Sequence, residues 1–312
     1  MQLRTIGRSS LQIVPVVLGS NVFGWRIDEA QAFAVLDAFV EAGGNCVDTA
    51  DVYPPRHGGG ESEKIIGNWL KARGQRDRIV IATKVGSRRD GLPGLSRQHI
   101  LESVEGSLRR LQTDVIDLYQ AHRDDAVTPL EETLETFDEL VHQGKVRAIG
   151  ASNFGAERLT RALRVSEEQG YARYECLQPH YNLLERKSFE GELASVVREH
   201  DLGVITYYSL ASGFLTGKYQ PDQPLPSSPR AQGVEQDYMN TRGFAVLKEV
   251  ERVAEGHGIP ATQVALAWLI AARGVTAPIA SATSVDQARM LLGAVDVRLS
   301  GEEMAALTAV GE

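Results

Sequence analysis

Residues 115–151, VIDLYQAHRDDAVTPLEETLETFDELVHQGKVRAIGA, hold two short apolar runs, Val115–Gln120 and Val146–Ala151, on either side of the amphipathic segment Pro129–His142. Short runs rich in β-branched and aromatic side chains read as strands, and apolar positions at helical spacing read as a helix. Thr128-Pro129-Leu130-Glu131 marks the helix start with a capping side chain, a proline at the first helical position and a capping glutamate. A helix between two strands supplies the crossover that parallel pairing needs, so these strands are expected to run parallel.

The alternation extends in both directions. Towards the N-terminus, strands Val16–Leu18, Cys46–Thr49 and Ile79–Lys84 are followed by helices opening at Asp28 and spanning about Glu61–Lys71 and Ser96–Leu111. Towards the C-terminus, strands Tyr174–Gln178, Gly203–Tyr207 and Thr276–Ala280 alternate with helices Ala156–Glu168, Phe189–His200, Gly243–Glu255, Ala261–Ala272 and Val285–Leu292. Helix Gly301–Val310 closes the chain, and Gln2–Ile6 with Leu11–Val16 form a hairpin at its start. Eight βα units predict an α/β fold: a single (β/α)8 TIM barrel domain over residues 1–312, with an N-terminal β-hairpin and additional C-terminal helices. A doubly wound sheet would need a glycine-rich phosphate fingerprint near the start, and none is present. Ser284-Val285-Asp286-Gln287 and Ser300-Gly301-Glu302-Glu303 repeat the capping-box spacing. Gln220–Asn240, rich in proline and polar residues, is too long for an ordinary connection and is expected to form a lid or binding loop.

Of the 312 residues, 43% are hydrophobic and 24% charged, the balance of an ordinary globular chain. A net charge of −8 argues against nucleic acid as the main partner, because phosphate binding needs a basic field. Cys46 and Cys176 lie far apart in apolar runs, which fits a reducing cytoplasm better than a disulfide scaffold. The first residues lack the basic-then-apolar pattern of a signal peptide, and no apolar run is long enough for a membrane span. The expectation is therefore a cytoplasmic protein with neither membrane nor nucleic acid as partner. No two histidines stand two or four apart, so no catalytic metal is expected. Nothing in the pattern fixes an oligomeric state.

Active sites of (β/α)8 barrels form where strands end and βα loops begin. Val47-Asp48-Thr49-Ala50-Asp51-Val52-Tyr53, Ala82-Thr83-Lys84 and Tyr119-Gln120-Ala121-His122 put Asp48, Tyr53, Lys84 and His122 on one rim. Alone, each has an ordinary explanation: a turn aspartate, a packed aromatic, a solvated lysine, a structural histidine. On three successive strand ends they point to chemistry instead. Reducing a carbonyl requires a hydride on carbon and a proton on oxygen. A free tyrosine, with a pKa of about 10, is a reluctant donor, and a neighbouring ammonium is expected to lower that value. Asp48 would orient Lys84, and His122 would polarise the substrate oxygen.

These stretches resemble the aldo-keto reductases along almost the whole chain. The likeness rests on residues 41–53, on Gly60-Glu61-Ser62-Glu63-Lys64-Ile65-Ile66-Gly67, on residues 144–154 and on residues 207–219. The resemblance implies reduction of a small carbonyl substrate with NADPH, or with NADH, and places Asp48, Tyr53, Lys84 and His122 at the catalytic positions. It implies that Ser152, Asn153 and Gln178 hold the nicotinamide carboxamide, with Tyr207 stacked on the ring. Tyr208, Ser209, Leu210, Ser212, Gly213, Leu215 and Lys218 match the segment around the pyrophosphate, with Arg230 as a further cation. Gly19, Ser20 and Asn21 match the floor under the ribose, and Ser281, Thr283, Ser284 and Gln287 match the adenosine end. Met290 and Leu291 stand where the family usually has polar residues, which bears on the choice between NADPH and NADH. Phe23, Trp25, the Tyr53–Gly60 loop, Arg123 and Gln220–Asn240 are the expected substrate pocket. The alternative is a cofactor-holding regulatory subunit with slow turnover, resembling the β subunits of potassium channels.

Overall fold

A computed structural model describes residues 1–54, 58–87 and 94–311. The chain opens with an antiparallel hairpin, β1 (Arg4–Thr5) and β2 (Gln12–Ile13). Then follow β3 (Val17–Gly19), α1 (Glu29–Glu41), β4 (Cys46–Asp48), α2 (Glu61–Arg73), β5 (Val80–Val85) and α3 (Arg97–Leu111). The middle comprises β6 (Ile116–Ala121), α4 (Leu130–His142), β7 (Val146–Ser152), α5 (Ala156–Gln169), β8 (Tyr174–Gln178), α6 (Glu192–Glu199) and β9 (Gly203–Thr206). The chain ends with α7 (Ala231–Tyr238), α8 (Thr241–His257), α9 (Ala261–Ala271), β10 (Ala277–Ala280), α10 (Val285–Gly293) and α11 (Gly301–Val310).

Strands β3 to β10 pair in parallel and close into an eight-stranded barrel, the (β/α)8 TIM barrel expected from the alternation. Two apolar cores follow from that closure. The inner one packs Val17, Cys46, Ala82, Leu118, Ala148, Cys176, Ile205 and Ala277 inside the barrel, and Ile6, Leu11 and Ile13 of the hairpin segment join it. Arg4 locks the hairpin by donating to the carbonyls of Ile270, Val275 and Thr276. The outer core lies between the barrel and the helices, with Trp69, Tyr119, Phe137 and Trp268 among its buried members. Such packing leaves the other mouth of the barrel as the place for polar side chains. Among the described residues, no helix is long and apolar enough to cross a membrane.

Three expectations change in detail. Pro129 takes the cap position of α4 rather than its first turn, and the Thr128 hydroxyl donates to Asp125 instead of capping the helix. Ser284 caps α10 by accepting from Gln287 N–H, but the Gln287 side chain reaches one residue further back, to Thr283 N–H. The expected loop Gln220–Asn240 folds in its second half into α7, because Ala231, Val234 and Tyr238 bury one face at helical spacing. The reciprocal capping box of α11, between Ser300 and Glu303, forms as the spacing predicts.

Candidate active site

The ends of β4, β5 and β6 bring Asp48, Lys84 and His122 together, and the loop after β4 adds Tyr53. Lys84 is completely buried, and its Nζ donates to Asp48 Oδ1 at 2.6 Å and to the Thr49 carbonyl at 2.7 Å. An ammonium has three donors, so one is left on the Tyr53 side, where Nζ lies 5.2 Å from the ring centroid. Asp48 Oδ2 accepts from Gln178 Nε2 at 2.9 Å, which leaves both carboxylate oxygens occupied. Burial works against the Lys84 ammonium, but the charges of Asp48, Tyr53 and Asp51 and the Asp48 hydrogen bond outweigh it and raise its pKa. It is a lysine held charged.

Tyr53 departs from expectation. Burial pushes its pKa up, Lys84 pulls it down by charge and hydrogen bonding, and burial prevails. The hydroxyl is therefore a protonated phenol at neutral pH. The His122 ring meets Tyr53 edge-on, with centroids 5.8 Å apart. Burial, with Lys84 and Arg123 as neighbouring cations, lowers the His122 pKa to about 3. At neutral pH it is thus an uncharged imidazole, with one N–H to give.

Asp48, Tyr53 and His122 open into a cavity of about 1810 Å³ that reaches the start of α10. That exceeds the roughly 300–1,000 Å³ of ordinary small-molecule pockets and leaves room for a long ligand beside a small one. Close to His122, Asn153 Nδ2 donates to the His122 carbonyl at 2.9 Å, and Asn153 Oδ1 accepts from the Tyr207 hydroxyl at 2.7 Å. The Ser152 hydroxyl donates to the Gln178 carbonyl. In the wall after β9, Tyr208, Ala211 and Ser212 all adopt positive φ, at about 1–3 kcal/mol for each such non-glycine residue. Tyr208, Ser209, Leu210, Ser212, Gly213 and Lys218 line the cavity there, facing Gly19, Ser20 and Asn21. A Cβ on Gly19 would stand 2.8 Å from Ile279 Cγ2 and 2.9 Å from Ser281 Oγ, so both side chains would have to shift to admit one.

At the far end Ser281 donates to Asn21 Oδ1, and Gln287 Oε1 accepts from both the N–H and the hydroxyl of Thr283. Arg26, Lys218 and Arg230 also line the cavity. Burial lowers the pKa of Lys218 and Arg230, and repulsion within the trio adds to it: Lys218 feels Arg26 and Arg230, and Arg230 feels Arg26. Arg230 rests over the Trp25 ring, and Arg26 Nη1 reaches Ser228 Oγ at 3.4 Å. Among the described residues, no carboxylate pairs with any of the three. Met290 and Leu291 line the wall beyond.

Some expected residues lie elsewhere. Phe23 is fully buried in the outer core and is not part of the cavity wall. The turn at Gly24, with φ of +70°, separates it from Trp25, which does line the cavity. Leu215 is also a core side chain, and the Ser284 hydroxyl is committed to capping α10. Ser20 borders the cavity, but its hydroxyl is engaged with the Asp48 carbonyl and with Ser62 of α2. Of the Tyr53–Gly60 loop, Tyr53, Pro54, Gly58 and Gly59 line the cavity, whereas residues 55–57 lie outside the described residues. Arg123 lines it as expected. The Thr49 carbonyl, Arg26 and Asp51 join the site beyond the residues expected from sequence. Thr49 and Asp51 belong to the same strand-end run as Asp48, which is the signal that marks them.

A model of the aldo/keto reductase family matches residues 15–312. An uncharacterized oxidoreductase of Bacillus subtilis strain 168 is 36% identical, over 97% of this chain and 93% of its own length. An aldo-keto reductase of Alternaria alternata is 34% identical, over 96% and 89%. A probable voltage-gated potassium channel subunit beta of Oryza sativa subsp. japonica is 33% identical, over 95% and 92%.

Proposed function

The chain belongs to the aldo/keto reductase family, and we propose that it reduces aldehydes or ketones to alcohols with NADPH, Tyr53 donating the proton. The observation that carries this reading is the buried Lys84–Asp48 pair, 2.6 Å apart, beside a phenol and opposite a neutral imidazole. The fit of a dinucleotide rests on the long cavity and on three cations with no carboxylate partner among the described residues. Lys218, Arg230 and Arg26 would hold its phosphates, Asn153 and Gln178 its carboxamide, and Tyr207 its ring. When bound, the cofactor supplies a hydride to the carbonyl carbon.

Tyr53 begins as the phenol and transfers its hydroxyl proton to the carbonyl oxygen, which completes the alcohol. The phenolate left behind sits next to a permanent ammonium, which stabilises it in a medium of low dielectric. Asp48 keeps Lys84 charged and fixed, and Gln178 fixes Asp48. His122 donates a hydrogen bond to the substrate oxygen and, being neutral, adds no second cation beside Lys84. Single-domain organisation over the whole chain is part of the same reading.

A second reading is favoured by the rice relative, which is named as a potassium channel subunit. On that reading the chain holds NADPH and turns over slowly. NADPH oxidation with para-nitrobenzaldehyde separates the two, with NADH run in parallel. Steady turnover that depends on Tyr53 supports the reductase. Tight NADPH binding with negligible turnover leaves the regulatory subunit.

A further inference from the structure

The charges on the cavity wall divide into two sets. Arg26, Lys218 and Arg230 act on one another at the phosphate end. Arg123 stands apart: it follows His122 directly after β6, lines the cavity, and its charge acts on His122 and Tyr207. It is exposed and has no ion pair or hydrogen bond among the described residues. The acids next to it are committed elsewhere, Asp124 to Arg158 at 2.8 Å and Asp125 to Leu95 N–H, Val127 N–H and Thr128. Asp48 on the cavity wall is held by Lys84 and Gln178. Asp51 Oδ1 is buried, and Asp237 acts on His180.

A cation without a partner among the described residues needs a reason, since the protein carries a net −8 and no general excess of basic charge. Arg123 adds only the last of the effects that keep His122 neutral, behind burial and Lys84, and the proposed reaction gives it no anion. The nicotinamide ring is neutral when reduced and cationic when oxidised, so it offers Arg123 no anion. We infer that Arg123 binds a carboxylate carried by the carbonyl substrate, and that aldehydes bearing an acid group are the preferred substrate class. This rests on the reductase reading. A guanidinium presents a planar fork that matches a carboxylate, and the bond is charge-assisted on both sides. The substrate would then be gripped at two points, its carbonyl oxygen between Tyr53 and His122 and its acid group at Arg123.

The test compares para-carboxybenzaldehyde with para-carbamoylbenzaldehyde, in the wild type, Arg123→Gln and Arg123→Lys. Taking the ratio of the two aldehydes within each enzyme and comparing it between enzymes cancels their different intrinsic reactivity. The expected result is a fall in kcat/KM for the acid of about tenfold or more in Arg123→Gln, the scale of one charge-assisted hydrogen bond. The loss should sit mainly in KM and should clearly exceed any change seen with the amide. Arg123→Lys should recover part of it, because charge returns without the fork. An unchanged ratio overturns the assignment, as does a weaker NADPH affinity that lowers both aldehydes equally. Should the wild type reduce neither aldehyde, the reductase reading fails on its own account. Calorimetry of para-toluate binding to NADPH-loaded protein then still decides for Arg123: weaker binding by Arg123→Gln upholds its anion site, and equal binding removes it.

Discussion

The two ends of the cavity handle charge in opposite ways. At the end proposed to be catalytic, Lys84 and Asp48 neutralise each other inside the barrel, fixed by strands whose positions are set by ladder pairing. At the end where phosphates are proposed to bind, Arg26, Lys218 and Arg230 repel one another on loops, and no carboxylate among the described residues relieves them. The first arrangement is complete without a ligand. The second holds positive charge that only an incoming anion offsets. On the proposed reading, catalytic geometry is built into the folded chain, while cofactor affinity is held back as unrelieved repulsion.

The largest effect should come from the complete end. Tyr53→Phe is expected to lower kcat by about 10²–10⁴-fold, the usual contribution of a general acid, with NADPH affinity unchanged by fluorescence titration. Lys84→Met should cost a similar factor and also leave Asp48 buried without its partner, at about 3–5 kcal/mol of stability in denaturant unfolding. Adding Asp48→Asn should restore much of that stability and none of the rate. A Lys84→Met protein with normal turnover would break the distinction between the two ends.

At the open end the signs reverse. Lys218→Met should weaken NADPH binding by about 10- to 100-fold, as expected for a lost charge-assisted bond to phosphate, and should leave kcat largely intact. It should not lower the melting temperature of the cofactor-free protein, because burial and the neighbouring arginines already disfavour that ammonium. A clear destabilisation would show that the contact of Lys218 Nζ with the Tyr219 ring, 5.3 Å from its centroid, outweighs that repulsion.

The difference in how readable the two ends are has the same origin. Asp48, Lys84 and His122 follow directly from strand periodicity, because a strand's end fixes which residues face the barrel mouth. Phe23 and Trp25, two residues apart in a turn, look equivalent in sequence; the left-handed Gly24 between them separates core from cavity. Leu215 in its short 3-10 turn and Ala231–Tyr238 in a proline-rich stretch are likewise fixed by tertiary packing rather than by any local period. Arg26 has no local signal, since its place on the cavity wall depends on a loop more than two hundred residues away.

Protonation gives a smaller effect, with opposite signs for two neighbouring groups. His122 has a folded pKa of about 3 against an ordinary 6.5, mainly through burial. Between these values the unfolded chain binds the extra proton, so this contribution to stability is lost as pH falls from 6.5 towards 3. Asp51 is raised to about 7 from 3.8 by burial and by Glu63, and its Oδ1 has no hydrogen-bond partner among the described residues. Here the folded state holds the extra proton, so stability declines as pH rises from 3.8 to 7. Thermal melts of Asp51→Asn should therefore gain more over wild type at pH above 7 than near pH 4. A gain of equal size at both would mean that Asp51 stays ionised in the folded protein.

The smallest effect concerns Ser284, which the family resemblance had placed with the adenosine contacts. Its hydroxyl is engaged in capping α10, accepting from Gln287 N–H at 3.3 Å. Ser284→Ala should then cost about 1 kcal/mol of stability, the typical value of a lost cap, and should leave NADPH affinity where it was. The Gln287 side chain, tied to Thr283 rather than to Ser284, is untouched by that change. If NADPH binding weakens while stability holds, the hydroxyl belongs to the ligand. The open end would then own one more of its polar groups, and the helix would be capped by something else.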